Sequence, residues 1–234
     1  MIFEEKFDFD NFKNKNVFKK LEFGEVISPK FLVDKMLSSF DDSIFSNKNL
    51  KWLDTGSGNG IFSINLYYRL LENIYKKEGG DKYIIKKHII KNMIFMIEIQ
   101  EENIQILKSI FGEEANIIHN DYITHEFNFK FDCIIGNPPF NLNGIKKVPT
   151  CKSLHKSKDG ITIWHKFVNK SISILLDNGS LCYIIPSIWL KPDKYKIYNL
   201  LLKYYIINLE CFDNTSANKI FQGNAQTPCC FFNI

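Results

Sequence analysis

The chain has 234 residues, 45% of them hydrophobic, which is enough to bury the core of one α/β domain and too few for two large ones. That apolar content excludes a disordered chain, and a net charge of +4 permits a nucleic-acid partner without requiring one. The acidic N-terminus MIFEEKFDFD has no apolar signal region and no stretch is long enough to span a bilayer, so a soluble intracellular protein with no membrane partner is expected.

The first 23 residues, rich in Phe and charge, are expected to form an arm or short helix on the domain. Residues 29–40 read as a helix with Pro29 in its first turn and Phe31, Leu32, Met36, Leu37 and Phe40 on one apolar face. A strand at 50–55 carries Asp54 and runs into the glycine-rich turn Gly56-Ser57-Gly58-Asn59-Gly60, with a helix beyond. The following stretch to Asn92 is long for one crossover helix, and Gly79-Gly80-Asp81 is expected to divide it. Strands at 93–99, 115–119, 131–135 and 180–185 then alternate with helices at 101–111, 161–176 and 194–204. Two closing strands at 206–212 and 229–234 frame a polar loop. This alternation predicts a mostly parallel sheet with helices on both faces. The six cysteines form no CxxC pair, and Cys133 and Cys182 lie in apolar runs, so reduced thiols and no metal site are expected.

Four motifs carry chemistry. The glycines at 56, 58 and 60 allow a tight turn and a close backbone approach to a ligand at the carboxyl edge of the sheet. Glu98 ends the next strand, where a carboxylate can accept both hydroxyls of a ribose; it lies about 40 residues past the glycines, against roughly 20 in NAD-binding folds. Asp121 follows the third strand and is placed to accept from an adenine amino group, with Tyr122 or Ile123 bordering the ring; an Asn-Asp turn is the plainer alternative.

The decisive motif is Asn137-Pro138-Pro139-Phe140, after the fourth strand. Its prolines stop the ladder, leaving an Asn side-chain oxygen and a fixed carbonyl as two acceptors for one NH2 group. An amine conjugated to a ring is a poor nucleophile because its lone pair is delocalised. Holding both hydrogens favours a more tetrahedral nitrogen whose lone pair can attack an electrophilic methyl group. Phe140 offers a face on which a flipped base can stack.

In this order the motifs resemble the class I S-adenosylmethionine-dependent amino-methyltransferases, in particular the DNA adenine-N6 enzymes. Residues 23–29, with Ser28 and Pro29, look like that family's N-terminal cofactor motif. Asp54, Gly56 and Gly58 look like its glycine loop, Glu98 its ribose acid, and Asp121 and Tyr122 its adenine contacts. Asn137, Pro138, Pro139 and Phe140 look like its catalytic residues, while residues 164–167, residues 179–181 with Pro186 and Ser187, and residues 221–227 resemble later motifs. The resemblance implies a Rossmann-like, seven-stranded, mostly parallel sheet whose last strand is antiparallel, S-adenosylmethionine as cofactor, and DNA, most naturally double-stranded, as partner. One departure is Thr55, where the family usually has Pro.

The motif order is γ-like, and γ enzymes usually continue into a target-recognition domain, whereas this sequence stops at Ile234. The expectation is therefore a single catalytic domain. Either it is a fragment, or a separate subunit or domain supplies recognition, or the substrate is small or single-stranded. Between Phe140 and Gly160 lie Lys146, Lys147, Lys152, Lys156 and Lys158, a loop that could hold substrate phosphates, with a solvated lysine loop as the plain alternative. Trp164 is either a core residue or part of the base pocket, and His165 is read as structural. The same Asn-Pro-Pro-aromatic motif serves N5 methylation of a protein glutamine, and RNA adenine-N6 methylation is hardly distinguished. A catalytically silent partner subunit is opposed by the intact motifs.

Overall fold

The computed structural model describes residues 26–144, 160–223 and 227–234; the expected N-terminal arm lies outside them. Seven strands form one sheet in the order β3-β2-β1-β4-β5-β7-β6. They are β1 (Trp52–Thr55), β2 (Ile94–Glu98), β3 (Asn116–His119), β4 (Phe131–Gly136), β5 (Leu175–Pro186), β6 (Asn208–Phe212) and β7 (Cys229–Asn233). β7 pairs antiparallel with both β5 and β6, while the pairs among β1 to β5 are parallel. The expected seven-stranded sheet with an antiparallel last strand is thus present.

Strand alternation sends consecutive residues to opposite faces, which builds two cores. Trp52, Met96, Ile135, Ile184 and Phe231 pack under α1 (Lys30–Leu37), α2 (Ile61–Glu78) and α4 (Glu101–Phe111). Leu53, Ile134, Tyr183, Ile185 and Phe232 pack under α5 (Trp164–Ile174) and α6 (Ile197–Leu201). Among the described residues, no helix is long and apolar enough to cross a membrane and no acidic, His or Cys cluster could hold a metal ion.

Where local structure departs from the sequence expectation, and where it follows it, the causes are clear. Phe31 is 59% exposed, because α1 buries Leu32, Val33, Met36 and Leu37, a stripe on which Phe31 does not fall. The long crossover divides at Gly79, as expected: its φ of 67° ends α2, and the Asp81 side chain accepts from Tyr83 N to start α3 (Lys82–His88). The connection after β6 is not simply a polar loop. Asp213 caps a short helix, α7 (Asn214–Ile220), by accepting from Ser216 N, and Ala217 and Phe221 turn into the core. β5 also begins earlier than expected; its register slips between the Phe131–Leu175 and Cys133–Ser180 pairs, and the exposed Asp177 and Asn178 bulge out there.

Candidate active site

From β1 the chain winds outward to β2 and β3, then returns to place β4 on the other side of β1. That reversal opens a crevice at the carboxyl ends of β1 and β4. The glycine turn after β1 and the Asn137 motif after β4 are therefore neighbours. A Cβ on Gly56 would lie 4.0 Å from Pro139 Cδ, and one on Gly136 only 2.9 Å from Thr55 Oγ1. Gly136 has φ +155°, so both its conformation and this contact exclude a side chain.

The turn itself is held from below. Ile97 O accepts from both Gly56 N and Ser57 N, at 3.0 and 3.1 Å. Glu98, 5% exposed, accepts from Gly58 N through Oε2 at 2.8 Å, and from Ile99 N and Gln100 N through Oε1. A carboxylate offers about four acceptor positions, so one remains for a ligand donor. Gly56 and Gly58 have φ of +68° and +51°, and a Cβ on Gly60 would lie 2.8 Å from Leu107 Cδ2, which lets α2 pack tightly against α4.

Asp54, 1% exposed, accepts from Ser63 Oγ through Oδ2 at 2.6 Å, while its buried Oδ1 has no hydrogen-bond partner. Burial pushes its carboxyl up to about 7, against the lowering effect of Ser63 and with a further push from Glu98. A buried acceptor without a donor suits a cationic or N–H-bearing ligand group.

Asp121 accepts from Ile123 N through Oδ1, closing the turn that the plainer reading anticipated. Tyr122 does not lie on an open face. It is 3% exposed, packs on Phe167 with ring centroids 5.0 Å apart, and bonds Ser171 Oγ at 2.7 Å. Its hydroxyl belongs to a buried chain in which Thr55 meets Tyr183 at 2.5 Å and Tyr183 meets Ser171 at 2.7 Å. Ser171 donates to Phe167 O at 2.8 Å. With that proton committed, Tyr122 and Tyr183 must both donate to Ser171 and Thr55 to Tyr183, and every hydroxyl is satisfied. The unusual Thr55 therefore anchors the end of β1 to β5 and α5.

At the motif, pairing of β4 with β5 ends at Gly136–Tyr183, so the prolines fall just beyond the ladder. Asn137 Nδ2 donates to Val26 O at 3.3 Å and to Ser28 Oγ at 3.1 Å. Ser28 and Pro29 are buried, and the Pro29 carbonyl accepts from Leu32 N and Val33 N at the start of α1. Phe140 is half-buried between the two cores. Beyond it the chain is pinned to residues 161–163, by Leu142 N on Ile161 O at 2.8 Å and Ile163 N on Phe140 O at 3.0 Å. Both flanks of the lysine-rich segment thus meet at the motif, although Lys146 and Lys147 themselves lie outside the described residues.

Trp164 is 2% exposed in the second core, which favours the core alternative over a pocket wall. His165 stacks on Tyr195, centroids 3.6 Å apart and 8° from parallel; burial, with Lys166 and Lys194 nearby, holds it below the ordinary histidine range. Ser63, Ser171 and Tyr183 are not singled out by the sequence, and Val26 enters only as a member of the 23–29 motif. Ser63 and Ser171 do leave a trace, as small polar residues at buried helix positions where an apolar side chain is expected. The Val26 carbonyl leaves none.

The profile of the Eco57I restriction-modification methylase family matches residues 60–221. The chain belongs to that family. Among curated relatives, the Type II methyltransferase M.AccI of Acinetobacter calcoaceticus is 35% identical over 120 residues, covering 47% of this chain and 21% of M.AccI. A release factor glutamine methyltransferase of Flavobacterium psychrophilum is 28% identical over 191 residues, covering 77% of this chain and 58% of that one. The chain thus spans less than two thirds of either relative. Among solved structures, the type I restriction-modification methyltransferase subunit of Streptococcus thermophilus superposes with a TM-score of 0.60 at 16% identity, over 90% of this chain and 45% of that one. The fold is that of the class I S-adenosylmethionine-dependent methyltransferases.

Proposed function

We propose that this methylase transfers a methyl group from S-adenosylmethionine to the N6 amine of adenine in DNA. The observation that carries the reading is the Asn137 amide, whose nitrogen is tied to Val26 and Ser28 beside the glycine turn. Its oxygen is the atom left to accept from a substrate amine, with the Pro138 carbonyl as the second acceptor. Together they hold both amine hydrogens and release the lone pair, and Phe140 supports the base by stacking.

Asp54, Gly56, Gly58, Glu98 and Asp121 would hold the cofactor, Asp54 through the unpartnered Oδ1 and Glu98 through its remaining acceptor position. When bound, S-adenosylmethionine supplies an electrophilic methyl group. Lys146 and Lys147, on the segment that leaves and rejoins the motif, would contact substrate phosphates. The restriction-modification family and the Type II methyltransferase relative support DNA as substrate, and a separate subunit or domain would then choose the target sequence.

A second reading is methylation of a protein glutamine, favoured by the longer alignment to the release factor methyltransferase. Incubation with methyl-labelled S-adenosylmethionine and DNA, RNA or a glutamine-bearing release factor separates the two. Label in the adenines of DNA is expected. Label in the protein alone would replace the first reading with the second.

A further inference from the structure

An asparagine amide can sit in two orientations related by a flip, and only one presents an acceptor to an incoming amine. Here the neighbours decide. The Val26 carbonyl can only accept, so a flip would set Asn137 Oδ1 against it at about the 3.3 Å now spanned by a hydrogen bond. The second hydrogen of Nδ2 goes to Ser28 Oγ at 3.1 Å. Ser28 is 2% exposed and precedes Pro29, the N-cap of α1, whose ring fixes the local backbone. Both amide hydrogens are therefore committed to a rigid corner, and Oδ1 is the amide atom left to accept.

We infer that Ser28 is a positioning residue for the methyl acceptor, acting with the Val26 carbonyl to lock Asn137 with its oxygen toward the substrate. The inference rests on the methyl-transfer reading of Asn137 given above. It differs from the expectation that Ser28 contacts the cofactor. It also sets the substrate class, because a locked acceptor takes a nitrogen bearing hydrogens and repels an oxo group at the same place, where two acceptors would meet. An amino base fits this site; a base carrying a carbonyl at that position does not.

The test uses the full chain, with Ser28→Ala and Ser28→Thr. Three quantities are read: affinity for S-adenosylmethionine by calorimetry, kcat and KM with the labelled acceptor, and the Asn137 side-chain amide resonances, identified by their loss in Asn137→Ala. In the wild type those amide hydrogens should exchange slowly. Ser28→Ala should lower kcat about tenfold, the worth of one hydrogen bond, with cofactor affinity unchanged and amide protection lost. Ser28→Thr, which keeps the hydroxyl, should restore both. Weakened cofactor binding with intact kcat would return Ser28 to the cofactor and overturn the inference. So would an Asn137 amide that exchanges as freely in the wild type as an exposed side chain, a result that needs no variant to fold. If the wild type methylates no acceptor, the methyl-transfer reading fails instead, while the exchange measurement still reports on the lock.

Discussion

Glu98 accepts the amide hydrogen of Gly58 at 2.8 Å, which ties the end of β2 to the glycine turn after β1 across 40 residues of chain. Its other oxygen is taken by Ile99 N and Gln100 N. The residue that looked in sequence like a ribose ligand is therefore a clamp on the glycine turn, beside its proposed role at the cofactor.

Replacing it with glutamine should expose this double role. Glu98→Gln keeps the size but puts an NH2 group where a carboxylate oxygen accepts a backbone N–H. We expect a stability loss of about 1–3 kcal/mol and weaker S-adenosylmethionine binding, from thermal unfolding and calorimetry on the same samples. A variant with wild-type stability and affinity would show that neither role matters.

Asn137→Ala removes the acceptor proposed to hold the substrate amine and leaves the glycine turn intact. Turnover should fall by about a hundredfold or more, the loss typical of one preorganised polar group, while cofactor affinity stays near wild type. Loss of cofactor affinity would mean that Asn137 faces the cofactor instead.

As the proposed cofactor contact, Asp54 should make cofactor binding sensitive to pH. Its carboxyl is raised from 3.8 to about 7 by burial, so the folded protein holds a proton that the unfolded chain releases between those values. Stability of the cofactor-free protein should therefore decline as pH rises through that window, and level off above it. A cationic ligand needs the ionised form, so affinity should rise with pH, by up to about tenfold per unit below pH 7. Asp54→Asn should flatten this component when binding is measured from about pH 5.5 to about pH 8.5, on either side of the raised value.

The hydroxyl chain predicts an asymmetric pair of variants. Tyr183→Phe strips Thr55 of its nearest partner in a buried site and should cost about 1–3 kcal/mol in denaturant unfolding. Thr55→Val leaves Tyr183 donating to Ser171 and should cost less. The double variant, which removes donor and acceptor together, should be no worse than Tyr183→Phe alone. Additive losses would show that the chain is not coupled.

Much of this was legible in the order of residues, because it depends on local pattern. Alternating apolar runs and helical spacings mark the strands and helices, Gly79-Gly80-Asp81 marks the break between α2 and α3, and the paired prolines after Asn137 mark the end of β4. Helix α7 was passed over, since its seven residues are polar apart from Ala217 and Ile220 and its signal is the cap at Asp213. The inward turn of Tyr122 and of Trp164 was equally beyond local pattern, as an aromatic residue near a motif reads the same whether it lines a pocket or fills a core. What the sequence determined alone was the set of chemical groups and the strand ends on which they sit. Only the tertiary structure decided their orientation: the Asn137 amide faces as it does because the Val26 carbonyl, 111 residues away, can accept a hydrogen and cannot give one.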